Sequence, residues 1–332
     1  MAPPALLDRT SPNVVPDRAR PLRPSRLPSH LRLVVLIVSN LGLQAALWTA
    51  AADYLDLHEL GSISKATDPD DVTTPLWRLV YKLIVVWLGW KLNYDFIDIT
   101  ALTIITNLPY AYLLTTYYEI THLTASFSVL SEIIAIALPT YLLRPRSAIN
   151  NHNAPVPNRY LLNSFQVTSS NRLLATGVYV AVLYSALKTG VLNKFLVTNF
   201  DIPTVERAYE ETWLTLAWKV FIAGVATQTF LLNPSIGATP APGDVTPVED
   251  FNAATADLPQ TLKHNFWFFS RRTRALIRQT FIATAFLLAN TVRKCYSLNG
   301  SSPVGAAGYA GYWVLANVIC AAWWVWVGDV EV

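Results

Sequence analysis

Hydrophobic residues along the chain are gathered into long runs that short polar segments separate. A helix needs about 20 predominantly apolar residues to cross the roughly 30 Å hydrocarbon core of a bilayer. Runs that approach or reach this length cover residues 32–52, 76–92, 98–118, 122–143, 173–192, 213–233, 275–292 and 306–328. The pattern predicts an all-α fold: a polytopic membrane protein with about eight transmembrane helices in one bundle.

The second of these runs is the weakest, because residues 76–92 form a short run that contains Arg78 and Lys82. A segment of this kind can span the bilayer or lie along the interface. Both alternatives stay open from the sequence.

Basic and acidic residues alternate between successive polar segments. Residues 1–32 hold six arginines, whereas residues 53–71 are mainly acidic. Cytoplasmic segments of membrane proteins are enriched in Lys and Arg. Eight spans place the basic segments inside and the acidic ones outside, with both termini cytoplasmic. The one adjacent pair of basic residues that falls on the outer side is Arg293 and Lys294.

The polar segments define the domain organisation. Residues 1–30 form a Pro/Arg-rich tail that we expect to be disordered and cytoplasmic, and residues 31–332 form the bundle. Two long cytoplasmic loops are predicted at residues 145–171 and 234–274. The second loop ends in an arginine cluster that we interpret as a contact to anionic lipid headgroups. Its members are Arg271, Arg272 and Arg274.

Composition agrees with a membrane protein. Only 14% of the residues are charged and the mean hydropathy is +0.32, whereas about a quarter of the residues in soluble proteins are charged. The net charge of +3 is too small to indicate nucleic acid. Because Cys295, Cys320 and the five histidines form no ligand pattern, no metal site or cofactor is predicted. We expect an integral protein of an endomembrane, the endoplasmic reticulum, with one glycosylation sequon, at Asn299, that is weakly used or unused.

The fourth predicted span contains a carboxylate. Glu132 lies near its middle and shares one helix face with Ser128 and Ser131. Ionisable groups at membrane depth usually face the bundle interior or a water-filled cavity. The face is therefore a packing seam or a cavity wall, and Glu132 is the main candidate catalytic residue.

The third predicted span carries a second polar face. Its members are Asp95, Thr103, Thr106, Asn107 and Tyr110, with Asp98 adjoining. We interpret this face as substrate-lining. The two aspartates lie near the cytoplasmic interface, where a solvated role is expected. They lack the spacing of the aspartate-rich motifs that isoprenoid prenyltransferases use to hold magnesium.

Lysines within the spans offer a partner for Glu132. Lys82, Lys188 and Lys219 lie close enough to the span ends to reach the interface with their ammonium groups. We choose Lys219 as the possible partner because its face is made of small residues. Lys188 and Tyr184 share another face, which we interpret as substrate-lining.

One short segment resembles a known family. Residues 261–267, from Thr261 to Trp267, and the later run that begins at Arg278 are similar to a stretch of wax-synthase-like membrane acyltransferases. The resemblance covers about 20 of the 332 residues, and the Trp-His pair of that family is absent. It implies an acyltransferase as a weaker alternative.

Function then divides into three classes. The first is an intramembrane enzyme on a lipophilic, isoprenoid or terpenoid-like substrate, with Glu132 as the general acid that starts a cyclisation or isomerisation. In size, the chain resembles membrane-bound terpene cyclases of fungal secondary metabolism, but it shares no motif with them. The second class is a small-molecule transporter or channel, and the third is a structural or adaptor protein. A lipophilic small molecule is the expected partner.

The topology can be tested by labelling single cysteines in sealed vesicles. Ser62→Cys should react only with a reagent on the outer side, and Ser147→Cys only with one on the cytoplasmic side. Equal labelling of both from one side would contradict the eight-span arrangement.

Overall fold

A computed structural model describes residues 28–52, 55, 58–65, 73–156, 158–238, 257–258, 261 and 270–329. Residues 1–27 of the predicted tail lie outside these ranges, as do most of the predicted loop after residue 238 and residues 262–267 of the acyltransferase-like segment.

The described part of the chain is all-α. Its long helices are α1 (Ser29–Ala51), α2 (Thr73–Lys91), α3 (Phe96–Tyr117), α4 (His122–Leu143), α5 (Phe165–Lys188), α6 (Trp213–Ala238), α7 (Arg271–Tyr296) and α8 (Pro303–Asp329). Within α6, Gln228–Leu232 is a π-helical turn. Short helices cover His58–Ile63, Arg159–Asn163, Val191–Asn199 and Glu206–Glu210. The isolated bridge Ser64–Leu298 is the one β-type pairing among these residues.

Six of these helices, α1, α3, α4, α6, α7 and α8, are long and apolar enough to cross a membrane. A seventh span results if α5 and Val191–Asn199, which meet at an angle of 73°, count as one. The chain is therefore a helical, multi-pass membrane bundle. Helix α2, which carries Arg78 and Lys82, is not among these six, so the count of eight spans stays a prediction.

Loop contacts define two ends of the bundle. The loops after α1 and α7 meet at one end, where the Lys65 amide donates to the Ser297 carbonyl oxygen at 2.9 Å. The segment after α5 lies at the same end, because the Ser302 amide donates to the Asn199 carbonyl oxygen at 3.0 Å. We call this the outer end, and the opposite end, which holds the loop between α2 and α3, the inner end. The loops after α1, α5 and α7 therefore lie together at one end of the bundle.

Helix boundaries agree with the hydrophobic runs except around α5. The fourth predicted span, residues 122–143, coincides with α4. The predicted loop 145–171 is too long, because α5 begins at Phe165 and Ser164 caps its first turn. At the other end, Gly190 adopts φ +71°, where a residue with a Cβ is strained, and the chain bends there.

Helix α3 is the buried centre of the bundle. Asp95 is its N-cap residue and forms a reciprocal capping box with Asp98. The Asn150 side-chain amide donates to both carboxylates, at 2.9 to 3.0 Å. Both aspartates are buried, so the predicted solvated role is wrong. The reason is that the loop after α4 folds over the start of α3 and replaces water as their hydrogen-bond partner.

Arg144 joins three elements at the same inner end. Its guanidinium group donates to the carbonyl oxygens of Gly89, Trp90 and Tyr94 and to Asn93 Oδ1, at 2.6 to 2.9 Å. Burial lowers the pKa of Arg144, and the nearby carboxylates partly offset this effect. Because the end of a helix leaves carbonyl groups without partners, one planar cation can satisfy several of them at once. The end of α2 is therefore fixed to α4.

The aromatic core lies between α3, α5 and α8. The ring of Trp313 lies 5.9 Å from that of Tyr112 and 5.9 Å from that of Tyr179. Helices α5 and α6 approach closely at Gly224, where a Cβ would lie 2.8 Å from the Thr176 backbone nitrogen. Small residues permit such close helix packing in membranes.

Arg144→Lys should destabilise the bundle because a lysine cannot satisfy four acceptors in one plane. We expect the free energy of unfolding to fall by about 2–4 kcal/mol, since hydrogen bonds to charged groups contribute roughly 1.5–3 kcal/mol each and some are kept. SDS titration in mixed micelles measures this. Arg146→Lys is the matched control, because Arg146 lies two residues after Arg144 in the same loop. Its guanidinium group lies 5.4 Å from the centre of the Phe96 ring. Equal losses in both variants would contradict the role of Arg144.

Candidate functional site

A polar cavity lies between α1, α2, α3, α4 and α7. Its volume is about 50 Å³, which suffices for a few water molecules or one small polar group. Polar side chains make up most of its wall, including Asn40 from α1 and Lys82 from α2. A polar wall is unusual at membrane depth, where most surfaces are apolar, so we treat the cavity as the candidate site.

Four residues selected from the sequence line this cavity together. Thr103, Thr106 and Asn107 come from α3, and Glu132 comes from α4. The two polar faces of the neighbouring spans thus meet at one place. The catalytic and substrate-lining roles of these residues stay predictions.

Glu132 forms an ion pair. Lys294 Nζ of α7 donates to Glu132 Oε1 at 2.8 Å, and the two side chains are 12% and 22% exposed. The partner expected from the sequence, Lys219, instead pairs with Glu211 at the outer start of α6. The expectation failed because α6 packs against α3 and α5, and α7 supplies the wall of the cavity.

Further positive charge surrounds the pair. The Arg293 guanidinium stacks 5.0 Å from the centre of the Tyr81 ring and donates to Asn290 Oδ1 at 2.7 Å. Lys82 lines the cavity and has no hydrogen bond or ion pair within the described part of the chain. Three cations therefore lie in or beside the cavity with a single carboxylate.

A hydrogen-bond network fixes the wall between α3 and α7. The Asn290 side-chain amide donates to Asn107 Oδ1 and to the Thr106 carbonyl oxygen, both at 2.9 Å. The Asn107 amide donates in turn to the Thr103 carbonyl oxygen at 2.8 Å. These hydrogen bonds join α3 to α7 along the wall of the cavity.

Other predicted residues lie beside the cavity. Ser128 and Ser131 are buried on α4, and each donates its hydroxyl to a carbonyl oxygen of the preceding turn, at 2.8 and 3.0 Å. Ser131 also accepts from Gln44 Nε2 of α1 at 3.5 Å. Tyr110 lies under the ammonium group of Lys294, which is 5.4 Å from the ring centre. These residues support the site from behind its wall.

The remaining predicted residues lie elsewhere. Lys188 lies over the Tyr184 ring at 5.4 Å and donates to the Tyr209 carbonyl oxygen at 3.5 Å, at the outer end of α5. Helix α5 contributes no residue to the cavity wall. Asp95 and Asp98 cap α3 at the inner end. The structure therefore does not bring these four residues together with Glu132 at the cavity.

Lys294, which pairs with Glu132, was not selected from the sequence, nor were its neighbours Asn290 and Arg293. The same holds for five other residues of the cavity wall: Asn40, Gln44, Tyr81, Val85 and Ile136. Arg293 and Lys294 are the one adjacent pair of basic residues that disagrees with the positive-inside pattern. That disagreement was the feature of the sequence that could have marked Arg293 and Lys294 as residues of the site. In the structure, Lys294 pairs with Glu132 and Arg293 donates to Asn290, so both side chains have partners within the bundle.

The described ranges contain no group of three His, Cys, Asp or Glu side chains that could hold a metal ion. The chain matches no protein-family model, no curated protein and no solved structure.

The ion pair can be tested by double-mutant cycles. Glu132→Gln and Lys294→Met should each lower the free energy of unfolding by about 3–5 kcal/mol, because each leaves a buried charge without its partner. The double variant should lose much less than the sum. Glu132→Gln combined with Lys219→Met is the matched control and should be additive within about 0.5 kcal/mol. Coupling to Lys219 instead of Lys294 would contradict the structure.

Proposed function

We propose that this multi-pass membrane protein is a carrier for a small molecule with a polar end and a lipophilic body. The observation that carries the proposal is the polar cavity around the Glu132–Lys294 pair. Intramembrane charged residues mark substrate and ion pathways in transport proteins. The cavity is the proposed binding site.

The size of the cavity limits what it takes. At about 50 Å³ it is much smaller than the roughly 300–1,000 Å³ typical of pockets that enclose a drug-sized ligand. Only the polar end of such a molecule fits. Its lipophilic body would lie along the apolar surface of α1, where Val34 and Val38 are exposed.

Helix α2 offers a movable wall. Its buried residues are Val86 and Gly89, both in the half that Arg144 fixes at the inner end. Tyr81 and Lys82, which line the cavity, lie farther toward the outer end. The outer half of α2 can therefore move away at little cost in buried apolar area, as hinged closure around a ligand requires.

Acid-initiated chemistry at Glu132 is the second candidate, because the carboxyl group does line the cavity. The contacts favour the carrier. Glu132 accepts a hydrogen bond from Lys294, whereas a general acid must have a proton to donate. The faces of Tyr81 and Tyr110, which could stabilise a substrate cation, are covered by Arg293 and Lys294.

Lipid binding at the inner end is a further part of the proposal. Arg271 and Arg274 are exposed at the start of α7. Clusters of basic residues next to a membrane span attract anionic headgroups, and each Lys or Arg near the surface contributes about 1 kcal/mol to the binding free energy. We propose that they orient the bundle on the cytoplasmic leaflet.

Filling the cavity tests the carrier proposal. Val85→Trp should reduce uptake into proteoliposomes of the best substrate from a panel of medium-chain acids, alcohols and amines by at least about tenfold, because the indole would occupy the site. Ile84→Trp is the matched control: Ile84 is the preceding residue, is exposed, and is not part of the cavity wall.

Equal uptake by the two variants would contradict the proposal. Conversion of a panel member into a product, abolished by Glu132→Gln, would instead establish the enzyme.

A further inference from the structure

We infer that the polar end taken up by the cavity is a carboxylate and that Lys82 is the residue that binds it. This inference rests on the proposed function and adds the chemical class of the substrate. It is drawn from the charges around the cavity, from the contacts that each of them makes and from the space available.

The charges do not balance. Lys82, Arg293 and Lys294 carry three positive charges, whereas Glu132, which pairs with Lys294, carries the one negative charge among the residues that line the cavity. Keeping unpaired charge in a low-dielectric interior is costly. An anion in the cavity would reduce this cost, so the charge balance favours a negatively charged ligand over a neutral or cationic one.

The contacts identify which cation is available. Lys294 is bound to Glu132, and Arg293 is bound to Asn290 and stacked on Tyr81. Lys82 has no partner of either kind in the described ranges, yet its side chain lines the cavity. An ammonium group has three donors and no acceptor, so its natural partner is an anionic oxygen.

Neutral donors and the available space narrow the anion further. The amide groups of Asn40 and Gln44 line the same cavity as Lys82 and can bind a second oxygen atom. A volume of about 50 Å³ suits a planar group with two oxygens better than a phosphate with three oxygens around phosphorus. The alkyl chain of a carboxylic acid would extend toward the lipid.

The test measures binding to the purified full-length protein in nanodiscs of zwitterionic lipid by isothermal titration calorimetry. Octanoate, octyl phosphate, 1-octanol and octyltrimethylammonium share a chain length and differ in their head groups. We expect octanoate to bind best. Lys82→Met should weaken its binding by at least about tenfold, as loss of a close charge pair does, and Lys82→Arg should recover part of it.

Lys91→Met is the matched control. Lys91 lies on the same helix, at its inner end, with its ammonium group 4.9 Å from the centre of the Trp87 ring and outside the cavity wall. Its octanoate affinity should stay within about twofold of the wild-type value. Unchanged octanoate binding by Lys82→Met, or tighter binding of any other member of the series, would overturn the inference.

The two proposals fail in different ways. If 1-octanol or octyltrimethylammonium binds best and Val85→Trp abolishes that binding, the cavity is a binding site but not one for a carboxylate. If Val85→Trp leaves the binding of every member unchanged, or if no member binds, the proposed function fails together with the inference.

Discussion

The cost of holding charge inside a membrane-spanning bundle governs this structure. Glu132 and Lys294 offset that cost for each other at 2.8 Å and thereby join α4 to α7. Their pairing leaves Lys82 and Arg293 without a carboxylate of their own. The positive character of the cavity therefore follows from the presence of three cations and a single carboxylate.

Stability is distributed unevenly around the cavity. The inner end is fixed by the guanidinium group of Arg144 and by Asn150, which bonds both Asp95 and Asp98. The walls from α3 and α7 are held by Asn290. By contrast, the outer half of α2 buries no residue. A rigid wall opposite a loosely packed one is what a binding site needs if its ligand enters from the bilayer.

The contacts of Glu132 are also the basis on which we propose a carrier rather than an acid catalyst. A general acid works when its environment disfavours the charged form, whereas the ammonium group of Lys294 favours the carboxylate of Glu132. The aromatic faces next to the site are already covered by the protein's own cations. These contacts hinder the stabilisation of a substrate cation.

What the sequence determined by itself was local: helix type, approximate helix positions, and the polar faces of individual helices, such as the one that carries Thr103, Thr106 and Asn107. These follow from the length and the period of apolar runs, because a bilayer imposes both on every spanning helix. The tertiary structure alone decided that Lys294, 162 residues away, pairs with Glu132. Pairing between distant helices depends on which faces pack together, and neither hydrophobic period nor charge count encodes that choice.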